Sequence, residues 1–311
     1  MKIKLIFFLF YFTIAFSQTS FPVDTSYTLK SVYDKVIKDY PTISYVPVRK
    51  YESVNKKEDI VYKKINEREL HLDAYFAKTK KPNPAIVILH GGGWRSGNKS
   101  QMETFAVEMA SKGYSCFTIE FRLSLEAPYP AAIFDVKNAI QYIKKNAKKF
   151  NVDTTKIAVL GCSSGGQMAS LVGTTNGKSG FEDKNGNVKF SSTVNAIINI
   201  DGILAFKHPE SIEGKFAALW LGGSYEEKPI VWEQAAPLNN TDRNTPPILF
   251  INSSIPRFHA GRDDMIAILS QYGIYFEVQT IPNSPHSFWF FNPWFDETIN
   301  YSVQFLEKVF K

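Results

Sequence analysis

Three short motifs carry residue types that could do chemistry together. The first is Gly161-Cys162-Ser163-Ser164-Gly165-Gly166, a serine with a glycine two positions to either side. It follows an apolar run at 156–161 that reads as a strand and precedes a helical pattern at 167–173. In a strand–turn–helix context, G-x-S-x-G is the pattern of a nucleophile elbow. The turn is tight enough to demand small flanking residues, and it lifts the Ser163 oxygen towards a helix N-terminus, which favours developing negative charge. The second motif, His90-Gly91-Gly92-Gly93-Trp94, also follows a strand. Glycines let backbone N–H groups approach a substrate oxygen closely. The N–H groups of Gly92, Gly93 and Ser164 would then form an oxyanion hole, each donor worth roughly 3–4 kcal/mol, with His90 bracing the loop. The third, Pro285-His286-Ser287-Phe288, follows the final strand pattern and offers a general base. A serine nucleophile, backbone donors and a histidine base are the parts of acyl transfer.

Positioning these parts requires a rigid frame, and the chain supplies one. Apolar runs at 84–93, 113–121, 156–161, 195–202, 246–254 and 274–282 alternate with helical patterns at 102–112, 130–150, 167–173, 263–272 and 298–310. Such alternation predicts a mostly parallel twisted sheet with helices on both faces, an α/β fold. Residues 61–77 alternate around Asn66–Glu67 and predict an antiparallel hairpin at the sheet edge. Residues 174–192 read as a surface loop. Residues 203–245 read as a small insertion over the C-terminal ends of the strands, where ligands bind in open α/β sheets.

The expected organisation is a leader at 1–17, an N-terminal arm at 18–60 and one catalytic domain at 61–311. Lys2 and Lys4 precede an almost wholly apolar stretch, Leu5 to Phe16, and Ala15 and Ser17 suit a cut before Gln18. That is the pattern of a secretory signal peptide, and the run is shorter than the ~20 residues of a membrane span. The expected location is therefore secreted or periplasmic, with no membrane attachment after cleavage. The net charge of +6 falls to +4 without Lys2 and Lys4, and the lysines are scattered as pairs with no aromatic interleaving. Nucleic acid is not an expected partner. No ligand cluster calls for a metal or an organic cofactor.

Taken together the motifs resemble the α/β-hydrolase esterases, specifically the hormone-sensitive-lipase-like and feruloyl-esterase-like branch. The resemblance runs from about Val61 to Phe310, and the stretches Leu-His-Leu-Asp-Ala-Tyr-Phe-Ala before HGGGW and FRLSLEAPYPAAIFD at 121–135 add to it. It implies the chain order serine, acid, histidine, which His286 completes. It also implies that the strand of the HGGGW motif separates Cys116 from Cys162. Two strand spacings amount to about 9–10 Å, beyond the roughly 7 Å a disulfide spans, so both thiols are expected free and buried.

One part departs from the family pattern. The acid is expected just after the 246–254 strand in a Gly-x-x-Asp turn, but the turn here reads Asn252-Ser253-Ser254-Ile255-Pro256-Arg257 and holds no carboxylate. The first acids beyond it are Asp263 and Asp264. Asp263 is the favoured third member, with Asp264 and Asp201 as alternatives. Arg257, His259 and Arg262 in the same loop suggest recognition of a carboxylate such as a uronic acid, since arginine binds carboxylates bidentately. Trp94 is a candidate surface for stacking on a sugar.

The expected function is a secreted serine carboxylic-ester hydrolase removing acetyl, methyl or feruloyl groups from a plant-type polysaccharide. The expected partner is that esterified oligo- or polysaccharide; the oligomeric state is open. Two other readings stand beside it. One is a general carboxylesterase or lipase for small acyl esters. The other is a non-catalytic binding module on a hydrolase fold, favoured by the missing acid turn and opposed by retention of Ser163, His286 and the glycine loop.

Overall fold

The computed structural model describes residues 22–184, 186 and 189–311. The leader expected at 1–17 lies outside the described residues. The N-terminal arm contributes α1 (Leu29–Val36) and the short strand β1 (Ser44–Tyr45). Next come the hairpin β2 (Val54–Ile65) and β3 (Arg68–Ala77), then β4 (Asn83–Leu89), α2 (Glu103–Ser111), β5 (Ser115–Ile119) and α3 (Ala131–Lys145). The chain continues through β6 (Val152–Cys162), α4 (Ser164–Thr174), β7 (Ala196–Ile200), α5 (Gly214–Leu221) and α6 (Pro229–Ala235). It ends with β8 (Ile248–Ser253), α7 (Arg262–Gln271), β9 (Phe276–Ile281), β10 (Phe291–Asn292) and α8 (Phe295–Val309).

Eight strands form one sheet in the order β2-β3-β5-β4-β6-β7-β8-β9. β3 runs antiparallel to both neighbours, and β5 to β9 with β4 are mutually parallel. The hairpin begins earlier than its sequence pattern announces, because Val54 to Ile60 alternate too weakly to stand out from a polar arm. Period-two alternation directs the central strands into two cores. Ala85, Val87 and Leu89 of β4 join the apolar faces of α3, α4 and α7, whereas Ile86 and Ile88 join those of α1, α2 and α8. A sheet covered on both faces explains why its central strands read as unbroken apolar runs.

β4 lies between β5 and β6, so Cys116 and Cys162 occupy strands that do not touch. Both cysteines are free and buried. The FRLSLEAPYPAAIFD stretch owes its charges to structure. Arg122 grips the fully buried Asp135 through Nε and Nη2 at 2.8 and 2.9 Å, which ties the loop after β5 to α3. Among the described residues no helix is long and apolar enough to cross a membrane.

Candidate active site

The elbow forms because its glycines leave no room for a side chain. A Cβ on Gly161 would stand 2.0 Å from the Gly165 carbonyl oxygen, and one on Gly165 would stand 2.5 Å from those of Leu89 and His90. β6 can therefore turn straight into α4 only with glycine at both places. Ser163 sits between them with φ +54°, a strained left-handed conformation for a residue with a side chain. Its N–H donates to Ile200 O at 2.8 Å, which pins the turn to the end of β7.

His286 reaches this serine from the loop after β9. Its Nε2 lies 2.9 Å from Ser163 Oγ and its Nδ1 lies 2.9 Å from Asp201 Oδ2. A carboxylate only accepts hydrogen bonds, so Nδ1 carries the proton and Nε2 is left to accept from the serine hydroxyl. Asp201 stands immediately beyond β7, with its side chain fully buried. Three donors hold that charge: His286 Nδ1, the Ser253 N–H at 2.8 Å and the Ser253 hydroxyl at 2.6 Å.

The carboxylate that meets His286 is thus Asp201, not the expected Asp263. Asp263 lies in the first turn of α7 with its side chain 81% exposed, and it accepts from Arg262 Nε at 2.8 Å. Arg262 holds its carboxyl below the usual range through that hydrogen bond. Asp264 faces His208 Nε2 at 3.3 Å and is also exposed. Both acids are helix N-terminal residues that suit the dipole and neither meets His286. The chain had offered a clue. Ile200-Asp201-Gly202 is an acid closing a fully buried, mostly apolar strand, and the neighbouring strand ends in Ser253 where the expected carboxylate is missing. β7 and β8 are adjacent and parallel, so a carboxylate from either C-terminal end serves the same histidine.

The glycine loop abuts Ser163. A Cβ on Gly91 would lie 3.1 Å from Ser163 Cβ. Gly92, Gly93 and Trp94 follow with φ of +128°, +61° and +58°, a path that brings bare backbone to the site. Ser164 opens α4, and first-turn N–H groups have no acceptor inside their own helix. His90 lies beneath the loop, buried and stacked on Phe121 with ring centroids 4.5 Å apart. Its Nδ1 is 2.8 Å from Gly91 O, and because a carbonyl only accepts, Nδ1 holds the hydrogen. Burial lowers its pKa to about 4, so it braces the loop as a neutral ring.

A cavity of about 620 Å³ opens over Ser163 and His286, walled by the glycine loop, the Ile255–Phe258 turn and the N-terminal arm. The arm is pinned there by Tyr27 N–H on Ser96 Oγ at 3.0 Å and by Gln101 Nε2 on Tyr27 O at 3.1 Å. A separate cavity of about 740 Å³ beside Tyr225 and Trp232 touches neither Ser163 nor His286.

The chain matches a known family. The BD-FAE family model covers residues 72–264. The chain belongs to the BD-FAE family. Esterase LipC of Mycobacterium tuberculosis is 30% identical over 181 residues, which is 56% of this chain and 44% of LipC. This BD-FAE chain therefore spans less than half of that curated relative. Among solved structures, a truncated carbohydrate esterase from gut microbiota superposes with TM-score 0.70 at 23% identity, over 84% of this chain and 100% of that one. A bifunctional GH43-CE protein of Bacteroides eggerthii gives TM-score 0.70 at 27% identity, over 81% of this chain and 38% of that one. The shared fold is that of the α/β hydrolases.

The three residues expected to meet substrate in this BD-FAE chain have different surroundings. Arg257 lines the cavity, but its Nη1 is already 3.3 Å from Glu213 Oε1 and its guanidinium lies 4.0 Å over the Phe258 ring. A resident carboxylate thus occupies the group that had suggested uronate recognition. His259 is half-buried, with its pKa lowered by burial and by Arg262, and it does not line the cavity. Trp94 is 3% exposed and stacks on Trp220 at 5.3 Å, so it offers no open face to a sugar ring. Its Nε1 donates to Gln167 Oε1 at 2.8 Å.

Proposed function

We propose that this chain is an exported serine ester hydrolase acting on an esterified saccharide through an acyl-enzyme. The observation that carries the reading is the continuous hydrogen-bonded line Ser163–His286–Asp201, with the glycine loop against the serine. His286 Nε2 takes the Ser163 proton as Oγ attacks the ester carbonyl, and Asp201 holds the ring in the tautomer that can do so. The N–H groups of Gly92, Gly93 and Ser164 receive the oxyanion. His286 then protonates the departing alcohol, and water repeats the sequence on the acyl-enzyme.

The likeness to esterase LipC and to the carbohydrate esterase from gut microbiota supports ester hydrolysis. The saccharide rests on the cavity of about 620 Å³, large enough for a sugar unit, and on the GH43-CE neighbour. Export rests on the pattern of residues 1–17 alone.

The test is release of acetate, methanol and ferulate from acetylated xylan and native pectin, by the wild type and by Ser163→Ala. One product that vanishes in the variant supports the nucleophile and names the ester. Turnover of an aryl acetate alone, with neither polymer attacked, moves the reading to a general carboxylesterase. No turnover of any ester by folded protein removes the hydrolase reading.

A further inference from the structure

His286 lies flat against Phe258, with ring centroids 3.5 Å apart and planes 8° apart. A centroid separation this close to the contact distance of two carbon atoms leaves almost no lateral offset between the rings. Two neutral rings avoid that arrangement and prefer an offset or an edge-on approach. A cation over a ring face is attracted by it. Phe258 comes from the Pro256–His259 turn after β8, the turn that lacks the expected carboxylate. It is 8% exposed, so little water screens the pair. The opposite face of the same ring carries the Arg257 guanidinium, 4.0 Å from the centroid. Alone, that charge would oppose a second cation across the ring. Glu213 Oε1 stands 3.3 Å from Arg257 Nη1 and offsets it.

We infer that Phe258 is a positioning residue for His286 that stabilises the imidazolium formed while Ser163 attacks, with Glu213 keeping Arg257 from cancelling the effect. This inference rests on the ester-hydrolase reading. His286 Nε2 takes the proton from Ser163 Oγ as the bond from Oγ to the acyl carbon forms. The ring then carries a positive charge until Nε2 gives that proton to the departing alkoxide. Asp201 meets the charge in the ring plane, at Nδ1, and Phe258 meets it from the face. The charged and titratable groups around the ring are Ser163 at Nε2, Asp201 at Nδ1, the Arg257–Glu213 pair behind Phe258, Tyr27 on Ser287, and Cys162 and His259 near Asp201. Burial favours the neutral form of Tyr27, Cys162 and His259. Asp201, Arg257 and Glu213 are left as the fixed charges.

The experiment replaces Phe258 with phenylalanines of increasing fluorine content, which keep the shape of the ring and drain its negative face. Phe258→Leu removes the face altogether. For each protein kcat/KM on p-nitrophenyl acetate is followed against pH, which reports the free enzyme's base. Above the acid limb kcat/KM should fall stepwise with fluorine content and by about 3–30-fold in Phe258→Leu, the range of a cation over an aromatic face. The acid limb should move to lower pH by the matching amount, about 0.5–1.5 pH units. The ring stabilises the imidazolium of the free enzyme and that of the transition state alike, so all profiles should converge below the limb. Glu213→Gln, which frees the Arg257 charge, should also move the limb to lower pH. A loss by one factor at every pH, or a profile indifferent to fluorine content, overturns the inference while leaving the hydrolase intact, since packing alone would act that way. An unmoved limb in Glu213→Gln overturns the part assigned to Glu213. No turnover by the wild type at any pH sinks the hydrolase reading and this inference with it.

Discussion

Asp201 and His286, 85 residues apart in the chain, meet at 2.9 Å with the Asp201 side chain wholly out of solvent. The ends of β7 and β8 share the work that one strand end does in the expected arrangement: β7 leads into the charge, and Ser253 of β8 supplies two of its three donors. The prediction is a sharp contrast between two aspartates. Asp201→Asn should lower kcat on p-nitrophenyl acetate by about 10⁴-fold, because an amide at that place favours the wrong histidine tautomer. Asp263→Asn should stay within about fivefold, the scale of an exposed ion pair. Comparable losses in the two variants would contradict the assignment.

Ser253 is predicted to matter through Asp201. Ser253→Ala removes one hydrogen bond to a buried carboxylate, which should cost about 1.5–3 kcal/mol of stability, read from urea midpoints at constant m. A kcat about tenfold lower with unchanged KM should accompany it, equivalent to roughly 1.4 kcal/mol of lost orientation. Full activity in Ser253→Ala would show that Asp201 keeps its place without the hydroxyl.

Two glycines should respond oppositely to alanine. Gly161→Ala puts a Cβ 2.0 Å from a backbone oxygen that cannot move without opening the elbow. A loss above about 3 kcal/mol, or no soluble protein, is expected. Gly180 has nothing within 4 Å of an added Cβ, so Gly180→Ala should stabilise by about 0.4–1 kcal/mol through the unfolded chain. Thermal unfolding of the two variants beside wild type checks both signs.

His90 builds a pH dependence into stability. Its pKa is lowered to about 4 by burial, while an unfolded histidine titrates near 6.5. Between those values the unfolded chain binds the extra proton, so stability is complete above about pH 6.5 and declines as the pH falls towards 4. The decline amounts to about 3 kcal/mol over the window, at roughly 1.4 kcal/mol per unit. His90→Gln should flatten that part of the stability–pH curve relative to wild type. Parallel curves for the two proteins would show that His90 does not contribute.

Arg257 is predicted not to select uronates, because Glu213 already neutralises it. Arg257→Ala should alter kcat/KM for uronate-bearing and neutral acetyl esters by the same factor. A loss confined to the uronate-bearing ester would restore carboxylate recognition.

By itself the sequence determined the parts whose constraints are local. Gly161 and Gly165 bracket a serine because the turn excludes any Cβ, and His90 to Trp94 spell out a backbone path through positive φ. The strands read as strands because burial on both faces leaves unbroken apolar runs, and their alternation with helices gave the parallel sheet; the strand order that keeps Cys116 from Cys162 came from the family resemblance. What the chain could not decide was which side chains meet across strand ends. Asp201, Asp263 and Asp264 are all acids near the C-terminal edge of the sheet, and no short-range rule separates them. Tertiary structure does so by burial: the end of β7 delivers Asp201 into the interior beside His286 and Ser253, while α7 turns Asp263 outward to Arg262. Arg257 and Trp94 were decided in the same way, by the resident Glu213 and by the Trp220 ring, neighbours that only the folded chain brings near.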